Sequence, residues 1–317
     1  MKKLIATLII SLAIGFFAFV GVQYKQNNQE IQTVTITLSK GESLSHLAMM
    51  LKENDLILSE DLFKIYAVLK EYDKSLRSGE YELNTAMSMK DILEKIKNGK
   101  VVYHRITIPE GLTVAEIKKL INSNDKLSGE ISIDVKEGYL LPETYSFARN
   151  DTRNSILLQM QSAMEKHLDT VWKNRNKDID KHIRSKAELI KLASIVEKET
   201  IIDFEKPMVA KVYLNRLQLR MRLQADPTVI YGATNYKGDI TYKMLREKTD
   251  YNTYVIYGLP KTAIANPGLE SLRAVANPAD IDYLYFVADG KGGHVFSKTY
   301  KQHKQRVKEY LKTLKEK

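Results

Sequence analysis

Two glutamates stand at the end of an apolar stretch, residues 191–200, which reads KLASIVEKET. They are Glu197 and Glu199. A carboxyl group among apolar side chains holds its proton tightly, because burial disfavours the charged form. A general acid that works near neutral pH needs such a raised pKa. The stretch therefore offers two candidates for a catalytic acid. The simpler hypothesis is that both are ordinary glutamates where a buried helix meets solvent.

Helical geometry separates the two candidates. If residues 186–200 form one helix, Lys198 points to solvent and the two glutamates fall on the flanks of the buried face. In a helical-wheel projection, Glu199 lies between apolar side chains on both sides, whereas Glu197 has a more open far side. We therefore expect Glu199 to be the more enclosed. Glu197 would then be a neighbour whose negative charge raises the pKa of Glu199, or a substrate contact.

Polar and aromatic residues downstream lie in loops on a helical scaffold, where binding and catalysis usually sit. The candidate binding residues are Gln224, Asp226, Thr228, Tyr231, Tyr251, Asn252, Thr253, Tyr254 and Asn266. Asp226 and Glu197 are also possible second carboxylates. The alternative for each tyrosine is a loop packed on the core with its hydroxyl satisfied. Asp226, which precedes Pro227, could equally form a turn.

A helical scaffold must position these residues. Apolar spacing predicts a helix over 153–172, the helix that carries the glutamates, and a third through FEKPMVAKVYLNRLQLR. In the third helix, Asn215 and Arg216 are predicted to be structural and to bond loop backbone. Loops follow in MRLQADPTVIYG, DYNTYVIYGLP and IANPGLESLRAVANP. YLYFVAD and HVFSK predict a β-hairpin around GKGG, and a basic amphipathic helix ends the chain.

The preceding part of the chain contains an internal repeat. ITLSKGESLSHLAMMLKENDLI from Ile36 resembles ITIPEGLTVAEIKKLINSNDKL from Ile106. Each copy predicts a strand, a glycine turn and a helix capped by Ser43 or Thr113, with a capping box in the second copy. Between the copies, a strand at 80–83 and a helix from a Ser88 cap to about Lys97 are predicted. Residues 34–134 thus predict a small α+β module similar to LysM peptidoglycan-binding modules, or alternatively a spacer.

The N-terminus predicts a membrane anchor. Residues 4–22 carry no charge and follow two lysines. As a helix they would rise about 28 Å, close to the hydrocarbon thickness of a bilayer. The lysines should stay in the cytoplasm, which leaves the body outside. We expect residues 1–3 as a cytoplasmic tip, 4–22 as an uncleaved signal anchor in the cell (inner) membrane and 23–33 as a linker. A cleaved signal peptide is the alternative.

Composition limits the chemistry. The chain has 317 residues and a formal net charge of +10, which suits an anionic partner without choosing one. No nucleic-acid-binding motif is present, and nucleic acid is not expected as a partner. The chain has no cysteine, which excludes a disulfide or a thiolate site. Its six histidines are scattered without an HxxxH pair, so neither a metal nor another cofactor is expected.

Several long motifs resemble one family. LASIVEKET, VYLNRLQLRMRLQADPTVIYG, YNTYVIYGLPKTAIANPG and YLYFVADGKGGHVFSKTYKQH, in that order, are similar to the endolytic murein transglycosylase family, also called MltG or YceG-like. The resemblance runs from about Glu137 to the end of the chain. It implies a membrane-anchored lyase that cuts the MurNAc–GlcNAc β-1,4 bond within nascent peptidoglycan and leaves 1,6-anhydro-MurNAc ends. Its implied partners are glycan strands, the bilayer and a peptidoglycan synthase.

The resemblance also implies a fold and a choice of acid. It implies an α+β protein whose residues 135–317 form a mainly helical, lysozyme-like catalytic domain with long polar loops and a β-hairpin. Goose-type lytic transglycosylases carry their acid as Glu followed by Ser, to which Glu199-Thr200 is similar and Glu197-Lys198 is not. With the helical wheel, this favours Glu199 as a single acid and base.

Two other functions stay open from the sequence. A hydrolytic muramidase of the same fold would need a second carboxylate to hold a water, for which Asp226 is available. A non-catalytic peptidoglycan-binding scaffold of the synthesis machinery would use the LysM-like region and would not need an intact acid.

Overall fold

The computed structural model describes residues 31–234 and 236–315, together with Gly15. The anchor predicted at 4–22 otherwise lies outside these residues. Within them, no helix combines the length and the apolar character that crossing a bilayer requires. The predicted α+β class is confirmed, because the described residues form helices and small two-stranded sheets.

The described strands pair two by two. In chain order they are β1 (Thr33–Leu38), β2 (Gly79–Asn84), β3 (Tyr103–Thr107), β4 (Thr144–Ala148), β5 (Tyr285–Ala288) and β6 (His294–Ser297). The pairs are β1 with β2, β3 with β4 and β5 with β6.

The described helices are more numerous in the second half of the chain. They are α1 (Leu44–Glu53), α2 (Glu60–Leu69), α3 (Met89–Lys97), α4 (Val114–Asn122), α5 (Arg153–Lys173), α6 (Lys186–Glu199), α7 (Lys206–Gln218), α8 (Asp226–Gly232), α9 (Tyr242–Arg246), α10 (Leu269–Ala276) and α11 (Tyr300–Lys315), with a 3-10 turn at Lys177–Lys181.

The chain divides into two compact units. The first unit holds the described residues of Met1–Arg105 together with Ser146–Asp151. The second unit holds Ile106–Tyr145 and the described residues of Thr152–Lys317. The second copy of the repeat therefore belongs to the second unit, and the boundary predicted at 134 and 135 falls inside that unit.

The first unit is built on the β1–β2 pair. The strands are antiparallel with Ile36 opposite Tyr81, and alternation along β1 buries Ile36 and Leu38 against the helices. The predicted cap at Ser88 is confirmed, since its side chain accepts from the backbone N–H of Asp91, whose carboxylate accepts in return. Gly41 supplies the turn before α1 with a φ of 86°, which side-chain-bearing residues rarely adopt.

Helices dominate the second unit. The predicted helix over 153–172 is confirmed as α5, and α6 ends at Glu199 as expected. The capping box at Thr113 is also confirmed at the start of α4. Helix α10 packs against both α6 and α7, and their apolar faces form the core. The predicted hairpin is confirmed as the antiparallel pair β5 and β6.

Two segments predicted as loops contain helices, and the prediction was wrong there. Pro227 lies in the first turn of α8, where its missing N–H costs no hydrogen bond. In α10, Leu272 and Val275 recur at helical spacing and are fully buried. The proline and asparagine residues around these helices mark their ends rather than a continuous loop.

Candidate active site

The last residue of α6 is Glu199, and the helix places its carboxyl beside α7. Helix α6 begins at a Ser185 cap, and almost every residue from Leu189 to Glu197 is buried. The chain leaves the helix at Thr200 in an extended conformation. From α7, the buried Tyr213 donates its hydroxyl to Oε1 of Glu199 over 2.6 Å. The acid is thus anchored between two core helices.

Burial raises the pKa of Glu199 to about 7. The hydrogen bond from Tyr213 works in the opposite direction, since it stabilises the carboxylate. The negative charge of Asp226 adds to the rise, whereas His294 and Arg216 oppose it. Near neutral pH the group is therefore divided between its acid and its carboxylate form, as a group that must both give and take a proton requires.

A cavity of about 350 Å³ opens at this carboxyl. It is lined by Glu199, Tyr213, Arg216, Gln224, Asp226, Tyr254, Tyr285, Phe286, Tyr300 and His303. The lining combines one protonatable acid, amide and carboxylate groups, and several aromatic rings. Such a surface suits a polar ring-shaped ligand such as a sugar.

Three of the predicted binding residues reach this cavity: Gln224, Asp226 and Tyr254. Gln224 takes a left-handed conformation, with a φ of 51°, immediately before α8. The hydroxyl of Tyr254 donates to Oδ1 of Asp226 over 2.6 Å, and burial raises the pKa of that tyrosine. Tyr254 therefore stays protonated and holds the aspartate in place.

The structure places the other six predicted binding residues outside the cavity lining. Thr228 and Thr253 are fully buried, and their hydroxyls share a hydrogen bond of 2.8 Å. The hydroxyl of Thr253 also accepts from the backbone N–H of Ala225. Asn252 donates from its amide to two backbone carbonyls, those of Met244 and Glu247. These three side chains fasten α8, α9 and the loops beside them to one another.

Asn266, Tyr231 and Tyr251 form a second group around Glu137. Asn266 is fully buried; its amide donates to Glu137 over 2.8 Å, and its Oδ1 accepts from the backbone of Gly138. Tyr231 donates to Glu137 over 3.3 Å and packs edge-on against Tyr251. Burial raises the pKa of Glu137 despite these donors. The group ties α8 and loop segments of the second unit together.

Glu197 occupies a separate ion cluster. Its Oε2 accepts from the backbone N–H of Gly268 over 2.9 Å and from the hydroxyl of Ser271 over 2.7 Å. The ammonium of Lys206 lies 3.7 Å from its Oε1, and that lysine is 2% exposed. Glu110 and Asp203 lie 3.6 and 3.0 Å from the same ammonium.

The helical-wheel comparison of the two glutamates was therefore wrong. Glu197 is 8% exposed and Glu199 is half-buried, because the start of α10 covers Glu197 while Glu199 opens to the cavity. The negative charge that raises the pKa of Glu199 comes from Asp226 rather than from Glu197. A helical-wheel projection gives the direction of each side chain around one helix. It does not show which neighbouring helix or loop covers that side chain.

Six lining residues were not among the predicted site residues: Tyr213, Arg216, Tyr285, Phe286, Tyr300 and His303. Tyr213 and Arg216 are three apart on α7, a spacing that puts both on one helix face. The prediction that Asn215 and Arg216 bond loop backbone is confirmed. Asn215 donates to the carbonyls of Ile281 and Tyr283, and Arg216 donates to that of Leu284.

Comparison with known proteins agrees with this description. The model of the YceG-like family matches residues 36–309. A Bacillus subtilis (strain 168) protein named endolytic murein transglycosylase is 33% identical over 316 residues, which cover 90% of this chain and 87% of that protein. A Streptococcus pneumoniae serotype 2 protein of the same name is 26% identical over 329 residues. That match covers 88% of this chain and 58% of the longer pneumococcal protein.

A solved structure is also similar. The crystal structure of a yceG-like protein from Listeria monocytogenes has a TM-score of 0.52 and 29% identity, and the match covers 87% of this chain and 99% of that one. The family model spans most of the chain, including every residue of the Glu199 cavity. This chain belongs to the YceG-like family.

Proposed function

We propose that this protein is an endolytic peptidoglycan lytic transglycosylase, a lyase that cuts the MurNAc–GlcNAc β-1,4 bond within glycan strands and leaves 1,6-anhydro-MurNAc ends. The observation that carries the proposal is the Glu199 carboxyl, which faces a cavity, has a pKa of about 7 and accepts a hydrogen bond from a buried tyrosine. The name shared by the Bacillus and Streptococcus relatives supports the same reaction.

One carboxyl group serves both steps of this reaction. Glu199 first gives its proton to the glycosidic oxygen as the bond from that oxygen to C1 breaks. The carboxylate then removes the proton from the C6 hydroxyl of the same sugar, whose oxygen bonds to C1 and closes the anhydro ring. No water is consumed, and Glu199 ends protonated. Because the nucleophile is part of the substrate, a second catalytic carboxylate is not required.

The neighbours of Glu199 fit these two roles. The Tyr213 hydroxyl stabilises the carboxylate form that exists between the steps, and burial with the nearby Glu199 charge keeps Tyr213 protonated. The negative charge of Asp226 favours the protonated form that begins the reaction. Tyr254 and Gln224 extend the polar lining toward the substrate.

The predicted anchor and the N-terminal module complete the proposal. Anchored through residues 4–22 in the cell membrane with its N-terminus in the cytoplasm, the enzyme would act on strands as they emerge and would end their elongation. A peptidoglycan synthase is the corresponding partner. Residues 34–134 would bind glycan as a LysM-like module or would hold the enzyme away from the bilayer.

A hydrolytic muramidase is the second candidate, because the Asp226 carboxylate lines the same cavity. In that reaction Asp226 would activate a water molecule that attacks C1. The products differ by one water molecule, so mass spectrometry distinguishes the two reactions.

The test uses the purified full chain and uncrosslinked peptidoglycan strands, with Glu199→Gln and Glu197→Gln as matched variants two residues apart. We expect wild-type product ends that are lighter than hydrolytic ends by one water molecule. Glu199→Gln should abolish them, and a folded Glu197→Gln protein should still form them. Hydrated ends would establish the muramidase, and binding without cleavage by the wild type would favour the scaffold.

A further inference from the structure

Three rings from β5 and from the helix α11 form one wall of the Glu199 cavity. Tyr285 lies on β5, and Tyr300 and His303 lie on α11. The imidazole of His303 stacks on Tyr285, with ring centres 5.2 Å apart and planes 21° apart. Tyr300 lies 5.9 Å from Tyr285 and 6.4 Å from His303. The wall is thus a continuous aromatic surface beside the candidate acid.

His303 differs from Tyr285 and Tyr300 because one of its polar atoms is buried and makes no hydrogen bond within the described residues. Within the described residues, its Nδ1 is inaccessible to solvent and makes no hydrogen bond. Burial and the nearby charge of Arg216 lower the pKa of the imidazole, so the ring is neutral near pH 7. A buried N–H donor without an acceptor is costly, so the proton belongs on Nε2. The ring therefore offers one neutral N–H donor on its accessible edge.

This combination fits a sugar better than a charged ligand. The apolar face of a pyranose packs on aromatic rings, and a neutral N–H donates to a hydroxyl or to an acetamido carbonyl oxygen. A neutral donor adds no charge beside Glu199 and so leaves its raised pKa in place, which keeps the acid available to give a proton at the start of the reaction. A protonated histidine would instead favour the carboxylate form.

We propose that Tyr285, Tyr300 and His303 form a sugar-binding subsite of the cleft, in which Nε2–H of His303 donates a hydrogen bond to an oxygen of the glycan. The proposal rests on the proposed function, since it assigns one subsite to the same substrate. It gives α11 and the β5–β6 hairpin a role in substrate positioning. His303 is a substrate-binding residue here and carries no proton in the reaction.

The test compares His303→Phe, which keeps the stacked ring and loses the donor, with His303→Gln, whose amide N–H can replace Nε2–H. Lys308→Ala is the matched control, because Lys308 is an exposed residue of α11 outside the cavity lining. For anhydro-end formation we expect His303→Phe to raise KM about tenfold, the loss of one hydrogen bond, with kcat changed less than about threefold. His303→Gln should restore KM to within about threefold of the wild type.

A binding measurement tests the subsite independently of the proposed reaction. Isothermal titration of uncrosslinked glycan oligomers into Glu199→Gln and into the double variant Glu199→Gln/His303→Phe should show affinity about tenfold weaker for the double variant. If the wild type releases no anhydro ends, the proposed function fails while this comparison still reports on the subsite. Equal affinities, or a His303→Gln protein as impaired as His303→Phe, would overturn the proposal.

Discussion

The raised pKa of Glu199 makes the stability of the second unit depend on pH. The group has a pKa of about 7 in the folded protein and the ordinary value of 4.5 when unfolded. Between these values the folded state keeps a proton that the unfolded state has lost, so the free energy of unfolding falls as pH rises from 4.5 to 7. At about 1.36 kcal/mol per pH unit, the loss amounts to about 3 kcal/mol above pH 7.

Replacing the acid by its neutral amide should remove this fall in the free energy of unfolding. We expect Glu199→Gln to be about 3 kcal/mol more stable than the wild type at pH 8 and nearly equal to it at pH 4. The glutamine oxygen can still accept from Tyr213. Urea unfolding followed by tryptophan fluorescence measures the effect, because Trp172 is the one tryptophan of the chain and packs on the core of the second unit.

Glu197→Gln is the control, and we expect it to lower the free energy of unfolding where Glu199→Gln raises it. It removes a buried charge that faces Lys206. Because Glu110 and Asp203 still face that ammonium, we expect a loss below the about 3–5 kcal/mol of a buried pair left with no partner. The two substitutions, two residues apart on α6, should therefore shift the urea midpoint in opposite directions at pH 8. A Glu199→Gln protein no more stable than the wild type at pH 8, or equally stabilised at pH 4, would refute the reasoning.

Three further perturbations test single contacts. Tyr213→Phe removes a hydrogen bond to the Glu199 carboxylate, so the alkaline limb of the pH profile of kcat/KM should move up by about one pH unit; an unchanged limb would contradict this. Asn266→Ala leaves buried backbone groups without partners and should lower the free energy of unfolding by about 2–4 kcal/mol in urea titrations. Gly268→Ala would place a Cβ 1.7 Å from Oε1 of Glu110, so this carboxyl, the end of a half-exposed side chain, must turn away from Lys206; the Tm should fall slightly, and an unchanged Tm would contradict a stabilising contact between Glu110 and Lys206.

Local signals predicted much of the fold. Apolar spacing predicted α5 and α6 to within a residue or so, and the Ser88 and Thr113 caps predicted the starts of α3 and α4. These features depend on neighbours along the chain, which the sequence displays directly. By contrast, α10 was missed because the proline and asparagine residues around it resemble a loop.

The site was predicted less completely for a physical reason. Asn252 and Thr253 have the side chains that bind sugars, and the same amides and hydroxyls bond backbone equally well. In this fold Asn252 donates to the backbone carbonyls of Met244 and Glu247, and Thr253 bonds to the backbone N–H of Ala225 and to the hydroxyl of Thr228. Which of these partners a polar side chain meets depends on residues far along the chain. His303 was missed because its position beside the cavity depends on how α11 packs against the β5–β6 hairpin.

The segment Ser146–Asp151 has a consequence for how the chain can be divided. It belongs to the first unit although residues of the second unit precede and follow it. Within the first unit, Arg149 lies 4.0 Å from Glu80, and Phe147 packs on the ring of His104. A protease cut between residues 105 and 106 would therefore leave two fragments that both contribute residues to the first unit. They would migrate together on a native gel and separate only under denaturing conditions.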